Sequence, residues 1–208
     1  MTTLRVIAGE KGGRRIVAPE GWRTRPTSER VREAAFSMLE SALGERRGGL
    51  SGAVVWDLFA GSGALGIEAL SRGAGEATFV DQSRSAVSAV QENLAKLGYP
   101  PERGHVYCAE VLRWVHGLDD EPGGEGRSRR GPEARTPPDL VLADPPYSWH
   151  SWPVLLRALS ALGPLVLMET SDEPTLPEGW RVQRARRYGG TLVTLTVPGA
   201  SPAQAGGL

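Results

Sequence analysis

Four acidic residues, Asp57, Asp81, Glu110 and Asp144, each fall at or just after the end of a short run rich in apolar residues. Between the first two lies a glycine-rich turn, Phe59-Ala60-Gly61-Ser62-Gly63. It follows Val54-Val55-Trp56-Asp57-Leu58 and precedes Leu65, Ala69 and Leu70 at helical spacing, which predicts a strand, a tight turn and a helix. Glycine permits unusual dihedrals and a close ligand approach there, with the first amides of the helix pointing at the ligand. Downstream, Leu140-Val141-Leu142-Ala143 predicts a buried strand that delivers Asp144-Pro145-Pro146-Tyr147 at its end. The prolines remove backbone donors and stiffen the loop, so that a carboxylate and carbonyls project from it. Such an acceptor-only site suits an exocyclic amino group. Asp144 and the Pro145 carbonyl can take its two hydrogens, localise the nitrogen lone pair and aim it at an electrophile. Tyr147 supplies a flat face for a base that has left its stack.

The spelling Gly61-x-Gly63-x-x-Gly66 also fits a dinucleotide fingerprint. Against that, Asp57 stands where a carboxylate would repel a pyrophosphate but attract an ammonium, and an NAD-dependent oxidoreductase would leave Asp144 to Tyr147 without a role. The electrophile that suits these acids is a methyl group on a sulfonium, as in S-adenosylmethionine. Asp57 then lies near its amino-acid end, Asp81 on the ribose and Glu110 on the adenine amino group, with Phe59, Ala60, Gly61, Ser62, Gly63, Gln82 and Ala109 completing the expected contacts. In-line displacement on that group requires no metal. The alternative for Asp144-Pro145-Pro146-Tyr147 is an ordinary strand-ending turn.

The positioning elements follow from pattern. Leu4 to Ala8 and Arg14 to Val17 predict strands about the turn Gly9-Glu10-Lys11-Gly12-Gly13, a hairpin appended to the main sheet. Thr27 or Ser28 can cap a helix whose apolar stripe is Val31, Ala34, Ala35, Met38 and Leu39. Arg25, Arg30 and Arg32 sit at its start, where cations oppose the helix dipole. Either a bound anion or pairing with Glu29 and Glu33 would account for them. Glu76 to Asp81 predicts a strand, Ser83 to Leu97 a helix ended by Gly98, and His105 to Cys108 a third strand. Trp152 to Leu162 predicts a helix and Pro164 to Glu169 a buried strand. Trp180 to Tyr188 with Thr191 to Val197 predicts a hairpin about Gly189-Gly190. Residues 119–138, rich in Gly, Pro, Glu and Arg, predict a mobile insertion, and 199–208 a disordered tail. Alternating strands and helices predict an α/β fold with a mostly parallel sheet and a C-terminal antiparallel hairpin.

At 208 residues the chain fits one domain (27–198) with a basic extension (1–26). Cys108 is its single cysteine, which excludes an internal disulfide and a thiolate metal cluster, and His105, His116 and His150 show no ligand spacing. No apolar run suggests a membrane span and no secretory signal opens the chain, so a cytoplasmic protein is expected. The formal charge of zero hides an asymmetry: residues 1–32 hold eight Lys or Arg against three Glu, and Arg181, Arg184, Arg186 and Arg187 cluster late. Basic ends could meet phosphate, or arginine could simply be solvated.

The order Asp57-Leu58-Phe59-Ala60-Gly61-Ser62-Gly63, Asp81, then Asp144-Pro145-Pro146-Tyr147 resembles class I S-adenosylmethionine-dependent amino-methyltransferases. Arg5 to Gly9, Gly12-Gly13-Arg14-Arg15-Ile16, Thr24-Arg25-Pro26-Thr27-Ser28-Glu29-Arg30 and Leu65 to Ala74 narrow this. Together they are similar to the bacterial 16S ribosomal RNA (guanine(966)-N(2))-methyltransferase family. The resemblance covers residues 4 to about 170 and is weak across the insertion. It implies a Rossmann-like, seven-stranded class I methyltransferase fold and methylation of a guanine N2 in 16S rRNA, within a 30S particle or assembly intermediate, by a monomer. It carries cofactor contacts to Asp57, Ala60–Gly63, Asp81 and Glu110, and catalytic roles to Asp144, Pro145, Pro146 and Tyr147. Glu110 departs from the family, where an Asp is usual. Arg14, Arg15, Arg25, Thr27, Arg30 and Arg186 are the expected RNA contacts. The rivals are a DNA adenine-N6 or cytosine-N4 methyltransferase, which the small size and lack of a separate base-recognition domain disfavour, and an inactive RNA-binding module.

Overall fold

The computed structural model describes residues 4–19, 29–117 and 136–199. The expected insertion therefore lies almost wholly, and the tail beyond residue 199 wholly, outside the described residues, as do Arg25 and Thr27. In chain order the elements are β1 (Leu4–Arg5), β2 (Arg15–Ile16), α1 (Glu29–Arg47), β3 (Val54–Leu58), α2 (Ala64–Ser71), β4 (Glu76–Asp81) and α3 (Arg84–Leu97). They continue with β5 (Gly104–Cys108), α4 (Val111–Val115), β6 (Leu140–Ala143), α5 (Trp152–Leu159), β7 (Leu165–Thr170), β8 (Trp180–Tyr188) and β9 (Thr191–Pro198).

Strands β3 to β9 form one seven-stranded sheet of order β5-β4-β3-β6-β7-β9-β8, parallel except where β9 runs antiparallel to β7 and β8. The central strands read as nearly continuous apolar runs because both faces are covered. On one face Val55, Leu140 and Leu142 pack with α1, α2 and α3. On the other, Trp56, Val141 and Ala143 pack with α4 and α5. Helix α3 shows why its sequence stops where it does. Ser83 Oγ accepts from Ala86 N at its start, and Gly98 takes φ 74° at its end. Strand β8 lies at the sheet margin, carries Arg181, Arg184, Arg186 and Arg187, and breaks register between Val182 and Arg184.

The N-terminal hairpin pairs only Leu4 with Ile16 and Arg5 with Arg15, a shorter ladder than the sequence suggests. Val6 N also donates to Arg14 O and Gly13 N to Val6 O, each at 2.9 Å, and docking on α2 satisfies the amides beyond. Glu68, on α2 and fully buried, accepts from Ile7 N at 2.7 Å and Ala8 N at 3.1 Å. Glu10 N donates to Ser71 O at 2.8 Å and Lys11 N to Ser71 Oγ at 2.9 Å. Gly9 sits at φ 81°, and a Cβ there would fall on the Ser71 carbonyl. The hairpin turn is thus built against the helix that follows the glycine-rich turn.

Arg32 resolves neither as an anion ligand nor as a partner of Glu33. It is 1% exposed, donates from its guanidinium to Arg5 O, and lies 4.0 Å from Glu68 Oε2. Burial lowers its affinity for the proton, while Glu68, Glu29 and Glu169 hold it charged. Glu29 bonds Arg5 instead, at 2.8 Å.

Candidate active site

Parallel register gathers the acids. Leu58 pairs with Val80 on one side and Ala143 on the other, so the ends of β3, β4 and β6 bring Asp57, Asp81 and Asp144 to one edge of the sheet. Ligands bind in this position in open α/β sheets, outside the carboxyl ends of the strands. A cavity of about 760 Å³ opens there, lined by Asp57, Asp81, Glu110 and Asp144. Phe59 to Ser62, Gln82 and Pro145 to Tyr147 share its wall. Gly63 and Ala109 are not among the described residues that line the cavity.

Asp57 is 1% exposed, and its Oδ2 accepts from Gly66 N at 2.8 Å. Burial pushes its carboxyl well above the usual range, against the pull of the Gly66 amide, and Asp144 and Asp81 push it further. Asp81 Oδ2 accepts from Gly61 N at 2.9 Å and its Oδ1 from Ser83 N at 2.8 Å. The Gly66 amide, in the first turn of the helix expected to face a ligand, is therefore taken by the chain's own Asp57, and the Gly61 amide by Asp81. A pyrophosphate would find acids where it needs donors; a cationic ligand would relieve their mutual repulsion.

Glu110 is bounded differently from its sequence reading. Its carboxylate caps α4, accepting from Leu112 N at 3.1 Å and Arg113 N at 2.9 Å, while the residue still lines the cavity. The turn is pinned by backbone strain: Phe59 takes φ 65°, a left-handed conformation uncommon without glycine. Its ring meets Trp149 edge-on at 5.0 Å, and Trp149 meets Trp152 at 4.9 Å. Trp149 N donates to Pro146 O at 2.8 Å, closing the Asp144-Pro145-Pro146-Tyr147 loop into a turn. Tyr147 is 56% exposed, and its hydroxyl lies 3.2 Å from Thr191 Oγ1 at the β8–β9 turn.

The structure adds wall residues to which the sequence reading gave no site role, Glu169, Trp149, Tyr188 and Thr191, and brings Arg32 to the same wall. Glu169 carried a usable signal, since it ends the apolar run of β7 just as Asp57 ends that of β3, and it is 2% exposed. Of the expected RNA contacts, Arg14, Arg15, Arg30 and Arg186 are exposed and lie outside the cavity wall. Arg184 is committed to Ser41 at 3.0 Å and Glu45 at 3.2 Å, so α1 brings an acid to the arginine cluster. Among the described residues, no group of three or more His, Cys, Asp or Glu could hold a metal ion, and no helix is long and apolar enough to cross a membrane.

Strand order, the acid after the glycine turn and the antiparallel strands at one margin place the molecule in the Rossmann-like class I methyltransferase fold. An Escherichia coli structure solved under the provisional name methyltransferase yhhF superposes with a TM-score of 0.73 at 28% identity, covering 96% of this chain and all of that one. A Pyrococcus horikoshii protein provisionally named an RNA methyltransferase shares the fold at a TM-score of 0.63 and 18% identity, covering 90% of this chain and 92% of its own. The chain belongs to the family described as conserved hypothetical protein 95, whose model matches residues 4–197. It is similar to the Escherichia coli ribosomal RNA small subunit methyltransferase D, with 30% identity across 89% of this chain and 85% of that protein. A Bacillus subtilis protein provisionally named rRNA methyltransferase YlbH is 34% identical across 84% of this chain and 86% of its own.

Proposed function

We propose that this chain transfers a methyl group from S-adenosylmethionine to the exocyclic N2 amino group of a guanine in 16S ribosomal RNA. The observation that carries the reading is the sharing of one cavity by Asp144-Pro145-Pro146-Tyr147 and the turn residues Phe59 to Ser62, from neighbouring strand ends. The donor set fits S-adenosylmethionine. Asp57 is a buried acid whose charged form a ligand ammonium would favour, and Asp81, oriented by two backbone amides, would accept from a ribose hydroxyl. When bound, the cofactor supplies an activated methyl group on sulfur. Asp144 and the Pro145 carbonyl hold the amino group by its hydrogens, fixing the nitrogen lone pair toward that methyl, and Tyr147 carries the extruded base on its ring. The exposed arginines Arg14, Arg15, Arg30 and Arg186, with Arg25 and Thr27, serve the RNA backbone. The names of the relatives support rRNA as the substrate class. We take the 30S particle or an assembly intermediate as the natural partner, with the protein acting as a cytoplasmic monomer without a metal.

The test is methyl transfer from labelled S-adenosylmethionine to DNA, free 16S rRNA and 30S particles from cells lacking the enzyme, followed by nucleoside analysis. Label recovered as N2-methylguanosine from rRNA or particles is the expected result. Label in DNA, or in no substrate despite cofactor binding, overturns the assignment.

A further inference from the structure

Asn93 lies on the buried face of α3, fully shielded from solvent, and its amide joins two segments that are distant in sequence. Its Oδ1 accepts from Val17 N at 2.7 Å, and its Nδ2 donates to Val17 O and to Ser62 O, each at 2.9 Å. Both amide hydrogens are thereby committed. Ser62, itself buried, is the middle of the glycine-rich turn. Val17 follows β2, and two residues later Pro19 reaches the cavity wall. Helix α3 is also packed hard on the turn, since a Cβ at Gly63 would stand 3.1 Å from Val90 Cγ2. Asn93 and Ser62 are both buried, so shifting the Ser62 carbonyl breaks a bond between groups shielded from solvent. A buried amide left unmatched is costly, so the three bonds form and break as a set.

We propose that Asn93 is a positioning residue that couples the cofactor turn to the segment leaving the N-terminal hairpin at Val17, so that filling the turn orders the path from the hairpin to the cavity. The proposal rests on the reading of that turn as the S-adenosylmethionine site. The coupling is reciprocal by linkage: whatever grips the hairpin raises affinity at the turn by the same factor.

Amide hydrogen exchange on the full chain, with and without S-adenosylhomocysteine, tests it. The ligand slows exchange at residues 60–66 and also at residues 16–18, although the latter touch no ligand. Asn93→Asp keeps the volume and the Oδ1 acceptor but removes both Nδ2 donors. In that variant protection at 60–66 persists, protection at 16–18 is lost, and affinity for S-adenosylhomocysteine falls about tenfold or more, in keeping with the loss of the two buried hydrogen bonds that Nδ2 donates. Protection at 60–66 without any change at 16–18 in the unaltered protein overturns the coupling, and that comparison needs no variant. Linked protection that survives in Asn93→Asp overturns it equally. Absence of protection at 60–66 refutes the cofactor reading itself and the coupling with it.

Discussion

Glu68 is the residue on which the N-terminal hairpin depends, and Glu68→Ala measures that dependence. Its carboxylate is fully buried, accepts from Ile7 N, Ala8 N and Arg72 Nε, and faces the Arg32 guanidinium at 4.0 Å. Truncation leaves two backbone donors without their acceptor and strips a buried cation of its nearest counter-charge. Arg72 keeps Glu40 at 2.8 Å, so the cost falls on Arg32 and on the hairpin. Breaking a buried pair from one side costs about 3–5 kcal/mol. That is a large part of the roughly 5–15 kcal/mol that holds a domain folded. At about 2–4 °C per kcal/mol for a chain of this size, the melting temperature falls on the order of 10 °C. Urea unfolding gives the free energy, and limited proteolysis reports whether residues 4–19 open before the sheet does. Glu68→Gln, which keeps an acceptor for the backbone amides, should lose less. A loss below about 1 kcal/mol for Glu68→Ala, with the hairpin still resistant to protease, would refute the view that this carboxylate docks it.

Other expectations follow from the site. In Gly66→Ala the new Cβ would press on the Phe79 ring, 2.9 Å from Cζ, and stand 3.0 Å from Asp57 Oδ2. Overpacking of about 1–3 kcal/mol should outweigh the helix-propensity gain of about 1 kcal/mol, so urea titration should show net destabilisation. Asp57 holds its proton more tightly when folded than when unfolded, so its contribution to stability declines as pH rises from the unfolded value toward the raised folded one. The stability of Asp57→Asn relative to the unaltered protein should therefore grow with pH across that window, while binding of S-adenosylmethionine weakens. A pH-independent difference in urea midpoints would contradict this. Asp144→Ala should abolish methyl transfer and leave cofactor affinity within a few-fold, as read by calorimetry. Arg186→Ala should weaken rRNA binding and flatten its salt dependence, and unchanged binding at every salt concentration removes Arg186 from the interface.

Much of this architecture is legible in sequence because its signals are local. The apolar runs of β3 and β6, the Ser83 cap and Gly98 stop of α3, and the Gly189-Gly190 turn between β8 and β9 each follow from short-range stereochemistry. The alignment of Asp57, Asp81 and Asp144 follows from parallel register once the strands are placed. What sequence reading misses is set by contacts across long separations. Arg32 reads as an anion ligand or a partner of Glu29 and Glu33 because nothing near it in the chain announces Glu68, and Gly9 reads as a plain hairpin glycine because Ser71 lies far along the sequence. The roles of Glu110 as a helix cap and of the Gly61 and Gly66 amides as partners of carboxylates depend on where side chains turn after the strand ends. Residue type alone does not fix that direction.

The arginine-bearing strand β8 has a consequence apart from RNA. It is a nine-residue marginal strand whose outer backbone groups offer a template to any stray extended segment. Charged side chains and a register break are two of the ways in which β-proteins deter such strand addition. Replacing several of these arginines with apolar residues would expose an uncharged edge, so self-association is expected to rise as the charge of this strand is removed.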